Sequence, residues 1–357
     1  MSDHRHGIDS AGMSRPFRLA IVGAGMITRQ SHLPAALAST AVEVAALVDP
    51  VSERAAALAT EYGIAPRIAM RIGEVLGEID GAVIATPNHT HAALAVECLS
   101  SGVPVLIEKP LASTYEDGLA IVRAAEASGK VVGVGYATRF RSSVVRLKNL
   151  LDEGYFGVVR RYVHQFGTPG GWAPCSAYNL DRKTAGGGVL VVTGTHFLDR
   201  MLYFWGYPDE ASLEDDGLGG PEANCSARFR YTRAPVPFEG VARYSKTVKL
   251  PAGMIIDTEQ GYVVLADHDD AEILFRPHAH ADVEQVIRRR GRSPQDDQRD
   301  VTLLQLEDFV AACRQKRAPR VDGRQGLESL RLLEQLYGHR RTMEPDWYET
   351  DRPRVAA

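Results

Sequence analysis

No run of about 18 uninterrupted apolar residues occurs anywhere in the 357-residue chain, so the sequence offers no transmembrane helix. The segment 1–16 is polar, has no apolar signal-peptide stretch, and reads as a flexible tail, with a cytoplasmic location expected. Cysteine is scarce. Cys98, Cys175, Cys225 and Cys313 lie far apart without a C-x-x-C pair, which excludes a disulfide framework and a zinc cluster of the usual spacing. An excess of basic residues is also lacking. With 41 Lys and Arg against 45 Asp and Glu, the formal charge is −4, which argues against a dedicated nucleic-acid binder. No G-x-S-x-G elbow marks a nucleophilic hydrolase.

What is present is ordinary globular composition, 45% hydrophobic and 24% charged, at a length that suggests about two domains. From Phe17 to Tyr136, apolar runs alternate with Ala-rich segments of helical spacing, the sign of βαβ units. The strand-like runs are Phe17–Val22, Val42–Val48, Gly81–Thr86, Val103–Glu108 and Val131–Gly135. The helical ones are Leu33–Ser39, Ser52–Tyr62, His91–Ser101 and Tyr115–Ser128. This predicts a doubly wound parallel sheet of nucleotide-binding type over 17–136. After a helical segment at Ser143–Leu151 the chain turns β-rich, with strand-like runs at Val158–Phe166, Cys225–Tyr231, Phe238–Val248, Met254–Asp257, Tyr262–Ala266 and Glu272–Phe275. Turn residues such as Pro251-Ala252-Gly253 separate them, which predicts a mostly antiparallel sheet, and helices are expected at Val301–Lys316 and Gln325–Arg340. The second domain is therefore set at 137–341 and is α+β, with a C-terminal tail over 342–357.

Glycine is enriched, at 33 residues or about 9% against the usual 7% or so, and its clusters mark special backbone. Directly after the first strand stands Gly23-Ala24-Gly25-Met26-Ile27-Thr28, a G-x-G-x-x turn with Thr where a third small residue is usual. Gly23 permits the tight turn, Gly25 lets backbone approach a pyrophosphate, and the N–H groups that follow, through Met26 and Ile27, face phosphate oxygens. The second strand ends at Asp49, spaced to accept from ribose hydroxyls and to repel a 2′-phosphate, which favours NAD over NADP.

The third and fourth strands end in Thr86-Pro87-Asn88-His89-Thr90-His91 and in Glu108-Lys109-Pro110, at the carboxyl edge where ligands bind in open α/β sheets. Lys109 there is either a proton shuttle or an ordinary surface lysine. Gly186-Gly187-Gly188 implies close approach of backbone to another element or to a ligand. His196 follows near a helix start, where it is either a neutral base or donor, or a capping and packing residue. His278 and His280 lie in a polar loop without a convincing third ligand, so no metal is expected. Arg288–Asp297 reads as a mobile charged loop.

Taken in order, the glycine turn, the T-P-N-x-x-H of Thr86 to His91, the E-K-P of Glu108 to Pro110, the G-Y-x-x-R-F of Gly135 to Phe140 and the glycine triplet before His196 resemble the Gfo/Idh/MocA family of NAD(P)-dependent oxidoreductases. The resemblance implies a Rossmann domain followed by an α+β domain with an open, mostly antiparallel sheet that forms a homodimer or homotetramer contact. It implies NAD bound by Gly23, Gly25, Met26, Ile27, Asp49, Thr86, Pro87, Asn88, His91, Glu108 and Lys109, with Lys109 beside the nicotinamide before a cis Pro110. It further implies a sugar or cyclitol substrate met by Lys109, Arg139, Trp172, Tyr178, Thr193 and His196, of which Lys109 and His196 are the catalytic candidates. One position departs. The family commonly carries Asp four residues before this His, and here that position is Val192, so Lys109 and His196 have to share the acid–base work unless Tyr178 or Asp181 enters the site. Two other readings stay open: a glycosidase that uses NAD transiently, and a non-catalytic dinucleotide-binding regulator.

Overall fold

The computed structural model describes residues 15–170, 182–266, 272–280, 282–288 and 301–344, the side chains of 182 and 183 aside. Six parallel strands build the first sheet: β1 (Phe17–Val22), β2 (Val42–Val48), β3 (Arg67–Ala69), β4 (Gly81–Ile84), β5 (Val105–Ile107) and β6 (Val132–Val134), in the order β3-β2-β1-β4-β5-β6. Helices α1 (Leu33–Ala38), α2 (Ser52–Glu61), α3 (His91–Ser100) and α4 (Tyr115–Ser128) connect them. Strand order reverses between β1 and β4, which places a crevice at their carboxyl ends. Alternate residues of β1 face opposite layers. Leu19 and Ile21 join one apolar cluster, while Ala20 and Val22 join the other, which is why the strand reads as a continuous apolar run. Helix α4 spans the residues its sequence predicts because Thr114 caps Asp117 N–H and Gly129 ends it at φ 65°.

The second part runs α5 (Ser142–Asp152), β7 (Val159–Gly167), α6 (Arg182–Ala185), a π-helical turn at Leu190–Gly194, and α7 (Thr195–Trp205). Strands β8 (Glu210–Asp215), β9 (Asn224–Tyr231), β10 (Phe238–Ser245), β11 (Leu250–Thr258), β12 (Gly261–Ala266), β13 (Ile273–Pro277) and β14 (Gln285–Ile287) follow. Helices α8 (Val301–Gln315) and α9 (Gly323–Gly338) precede the edge strand β15 (Arg340–Thr342). The nine-stranded sheet has the order β14-β13-β12-β11-β7-β10-β9-β8-β15, and only β10 with β7 and β15 with β8 pair in parallel. Its β12 alternates buried and half-exposed residues, as a sheet packed on one face does.

Three details differ from the sequence reading. Pro251-Ala252-Gly253 is not a turn but lies inside β11, where a register shift between Leu250 and Gly253 absorbs the proline and the glycine. Strand β10 stops at Ser245 rather than Val248, because the Ser245 hydroxyl accepts the N–H groups of Thr247 and Val248 and turns the chain. The short strands β3, β8, β14 and β15 were not foreseen. They carry few apolar residues and join the sheets mainly through backbone pairing. Helix α8 follows the second sheet in sequence yet packs on the first. Leu306, Phe309 and Val310 share a cluster with β1 and α1, Phe309 meets Phe17 edge-on at 6.2 Å, and Gln305 donates to Val134 O.

Between β10 and β7, Gly240 lies opposite Tyr162, and a Cβ there would fall 1.9 Å from the Tyr162 ring, which stacks on Trp205 at 4.2 Å. Gly240→Ala is expected to lower unfolding free energy by about 1–3 kcal/mol or more in urea titration, because the buried ring has no room to yield.

Candidate active site

The glycine turn separates into two kinds of glycine. Gly23, at φ 98°, donates to Val48 O at 2.7 Å, and a Cβ on it would stand 2.4 Å from Ala85 O, so the chain itself demands glycine there. Around Gly25 an added Cβ would meet nothing within 4 Å. The space it keeps open is space that no described part of the chain fills. The next turn is π-helical over Thr28–His32, with the fully buried Thr28 hydroxyl tied back to Gly23 O. Thr in place of the third small residue therefore locks the turn. Met26 and Ile27 remain exposed at its start, 42% each. Asp49 sits beneath the turn rather than at its rim, with Oδ2 accepting from Ala24 N–H and Oδ1 from Val51 N–H, both at 2.9 Å.

At the end of β5, Glu108 faces His32 across 2.7 Å and its other oxygen accepts from Lys109 N–H at 3.0 Å. Burial alone would raise the Glu108 pKa, but His32, Lys109 and His196 hold it down to about 2, so it is a carboxylate throughout the working range. The Lys109–Pro110 peptide is cis, as the resemblance implies. The Lys109 ammonium donates at 2.7 Å to the main-chain oxygen of Val192. Burial pushes its pKa below the ordinary lysine value, Glu108 opposes that shift, and Lys246 reinforces it.

That carbonyl is available because of the π-helical turn at 190–194, whose i→i+5 spacing breaks the α-helical ladder just before α7. The glycine triplet approaches protein, not ligand. A Cβ on Gly188 would lie 2.1 Å from Glu222 O, and one on Gly187 would lie 2.0 Å from the Tyr337 hydroxyl. Glu222, fully buried, accepts from Gly188 N–H, Leu190 N–H and the Tyr337 hydroxyl at 2.9–3.0 Å, and so fixes where this helix starts. From Gly187 to Met201 every residue is buried except Val192, Thr193 and His196. His196 Nδ1 is buried with no hydrogen-bond partner among the described residues. Burial, then the neighbouring Lys109, drives its pKa well below the usual histidine value, so the ring is neutral.

Several proposed contacts are otherwise engaged. Arg139, offered as a substrate contact, is buried and forms a two-pronged pair with Asp199 at 2.6 and 2.7 Å, so it braces α7. His91 is fully buried, its two ring nitrogens at hydrogen-bond distance from Thr86 O and Pro110 O, and it ties the two strand ends together instead of reaching the crevice. Asn88 donates to Ala185 O at 3.1 Å, tying the segment after β4 to the end of α6, while Thr86 pairs with Thr90 and Pro87 remains partly exposed. Glu108, likewise expected at the cofactor, is spent on His32 and the Lys109 backbone. Trp172, Tyr178 and Asp181 lie outside the described residues. His32, Glu222 and Lys246 were missed. His32 follows the glycine turn and had a positional hint, whereas Glu222 and Lys246 stand in unremarkable surroundings.

The residues present fit a dinucleotide: an unfilled cradle at Gly25, a helix start with exposed Met26 and Ile27, and an acid at the end of β2. Gly25→Val is expected to fold with an unchanged melting temperature and lose at least tenfold in NADH affinity by fluorescence titration. Gly23→Ala, by contrast, should fail to reach wild-type stability at all.

Comparison with known proteins agrees with this arrangement. Residues 17–136 match a family model described as "Oxidoreductase family, NAD-binding Rossmann fold", which carries the Gfo/Idh/MocA name. The chain is 35% identical over 197 residues to a putative UDP-kanosamine synthase oxidoreductase subunit of Amycolatopsis mediterranei, covering 53% of this chain and 52% of that protein. Across the relatives matched at 31–35% identity over about 190 residues, the chain spans about half of their length, 52–57%. It is 25% identical over 347 residues to D-glucoside 3-dehydrogenase of Escherichia coli, covering 92% and 96% of the two chains. Among solved structures, levoglucosan dehydrogenase in complex with NADH and levoglucosan has the same fold, with a TM-score of 0.77 at 18% identity over 91% of this chain and 97% of that one. The first sheet thus matches, along its whole length, the NAD-binding Rossmann domain of the Gfo/Idh/MocA oxidoreductases, and an alignment and a fold likeness continue through the second sheet.

Proposed function

We propose that the protein is an NAD-dependent dehydrogenase or reductase acting on a carbinol or ketone of a sugar, sugar derivative or cyclitol. The observation that carries this reading is the Lys109 ammonium held on Val192 O next to a neutral His196, at the switch point of the first sheet. When bound, the dinucleotide supplies the hydride acceptor or donor. Gly25 and the helix start beyond it hold the diphosphate. Asp49 keeps lone pairs for ribose hydroxyls, and its negative charge favours NAD over NADP.

Lys109 moves the hydroxyl proton. One of its N–H bonds is fixed on Val192 O, which orients the nitrogen, and burial next to Lys246 lowers the cost of losing a proton. His196, held neutral, cannot store that proton. It hydrogen-bonds the substrate oxygen and orients it. The acid that the family commonly has at position 192 is thus replaced in its orienting task by a main-chain carbonyl at the same residue, and Lys109 carries the proton alone.

Lys109→Met is expected to bind NADH like the wild type and to lose about 10²–10⁴-fold in kcat. The sign of the pH dependence follows from the lowered lysine pKa. In the oxidation direction Lys109 accepts the proton only when neutral, so kcat/KM rises with pH through a pKa below the usual lysine value. In the reduction direction it falls through the same pKa. A rate that is independent of Lys109 in both directions sinks the assignment.

A further inference from the structure

Among the described residues, Lys246 is a cation with no side-chain partner. It follows β10, and its backbone is held on both sides, donating to Ala223 O at 2.9 Å and accepting from Gly170 N–H at 2.9 Å. Ala223 adjoins Glu222, the carboxylate that fixes the start of the helix carrying Val192, Thr193 and His196. The end of β10 also packs directly on that helix, since Tyr244 stacks on Phe197 with centroids 5.5 Å apart and leaves no room for a side chain at Gly194. Lys246 is therefore anchored to the same framework as the three residues that helix leaves accessible.

The Lys246 side chain is partly buried, and among the described residues it makes no hydrogen bond and no ion pair. Two residues before Lys246, the Tyr244 ring lies against Gly194, itself two residues beyond Val192, whose carbonyl holds the Lys109 ammonium; repulsion from Lys246 is in keeping with the lowered pKa of Lys109. Glu108, the acid next to Lys109, is already paired with His32, and Glu222, next to Ala223, is spent on two backbone N–H groups and the Tyr337 hydroxyl. Holding an uncompensated ammonium in a partly dry crevice beside a second one is costly, and a neutral sugar would leave that cost in place. An anion delivered by the ligand would remove it and gain a charge-assisted hydrogen bond.

We infer that Lys246 binds an anionic oxygen group, a carboxylate or a phosphate, carried by the substrate, so that the preferred substrates are acidic sugars rather than neutral ones. This rests on the sugar oxidoreductase reading and narrows it. Lys246 is a specificity residue here, separate from the proton carrier Lys109.

The test uses the full-length protein and three hexose configurations, gluco, galacto and manno, each as the neutral sugar, the uronate and the 6-phosphate. Initial rates with NAD are measured alongside equilibrium binding to the enzyme–NADH complex. The wild type is expected to favour one charged class over its neutral counterpart, and whether uronate or phosphate is preferred identifies the anion. Lys246→Gln should raise KM for that class by about 10–100-fold, while KM for neutral sugars stays within twofold and NADH affinity is unchanged. Lys246→Arg should reverse most of that rise, and added salt should weaken the charged class alone. Equal handling of charged and neutral members, failure to bind any of them included, or an equal effect of Lys246→Gln on both, overturns the inference. Binding of charged sugars that depends on Lys246 without turnover in either direction would sink the oxidoreductase reading and leave the anion site standing. Turnover confined to neutral sugars would do the opposite.

Discussion

The hydrogen bond from the Lys109 ammonium to the carbonyl of Val192 joins the end of β5 in the first sheet to the helix in front of the second. Each partner is positioned from behind by a buried carboxylate. Glu108 holds the lysine backbone on one side and His32 on the other, which fastens the glycine-turn helix to the lysine. Glu222 gathers two N–H groups and the Tyr337 hydroxyl, which sets the helix start and with it the place of the Val192 carbonyl. Loss of either carboxylate would leave buried donors unsatisfied, the costliest kind of hydrogen-bond deletion.

The charge pattern follows the same division. Two carboxylates near the crevice are consumed by the protein, Glu108 by His32 and Asp199 by Arg139, whereas Asp49 accepts one backbone N–H on each oxygen and keeps acceptor sites open. Lys109 and Lys246 have no ion-pair partner among the described residues, and His196 is neutral. Such a crevice suits proton removal by an amine whose own protonated form is disfavoured, and it favours ligands that bring negative charge.

The missing acid at position 192 gave the non-catalytic reading its main support. In the folded chain the main-chain oxygen of that residue holds the Lys109 ammonium, and a backbone acceptor is invisible to side-chain identity. Arg139 and His91 show the converse. Their residue types suit ligand contact, yet burial assigns Arg139 to Asp199 and His91 to two carbonyl oxygens, because a charged or polar group enclosed by protein must be paired there.

By itself the sequence determined the βαβ order, the position of the glycine turn, the acid at the end of β2, Lys109 before a proline, and the change to a mostly antiparallel sheet. These follow from local steric and periodic rules: which residues permit a turn, which alternate, which cap. Only the tertiary structure decided that Glu108 meets His32, that the glycine triplet packs on Glu222 and Tyr337, that the Val192 carbonyl accepts from Lys109, and that Lys246 has no side-chain partner among the described residues. Those contacts join residues from about 30 to more than 130 positions apart. Their energies depend on burial and distance, and neither quantity exists until the chain has folded.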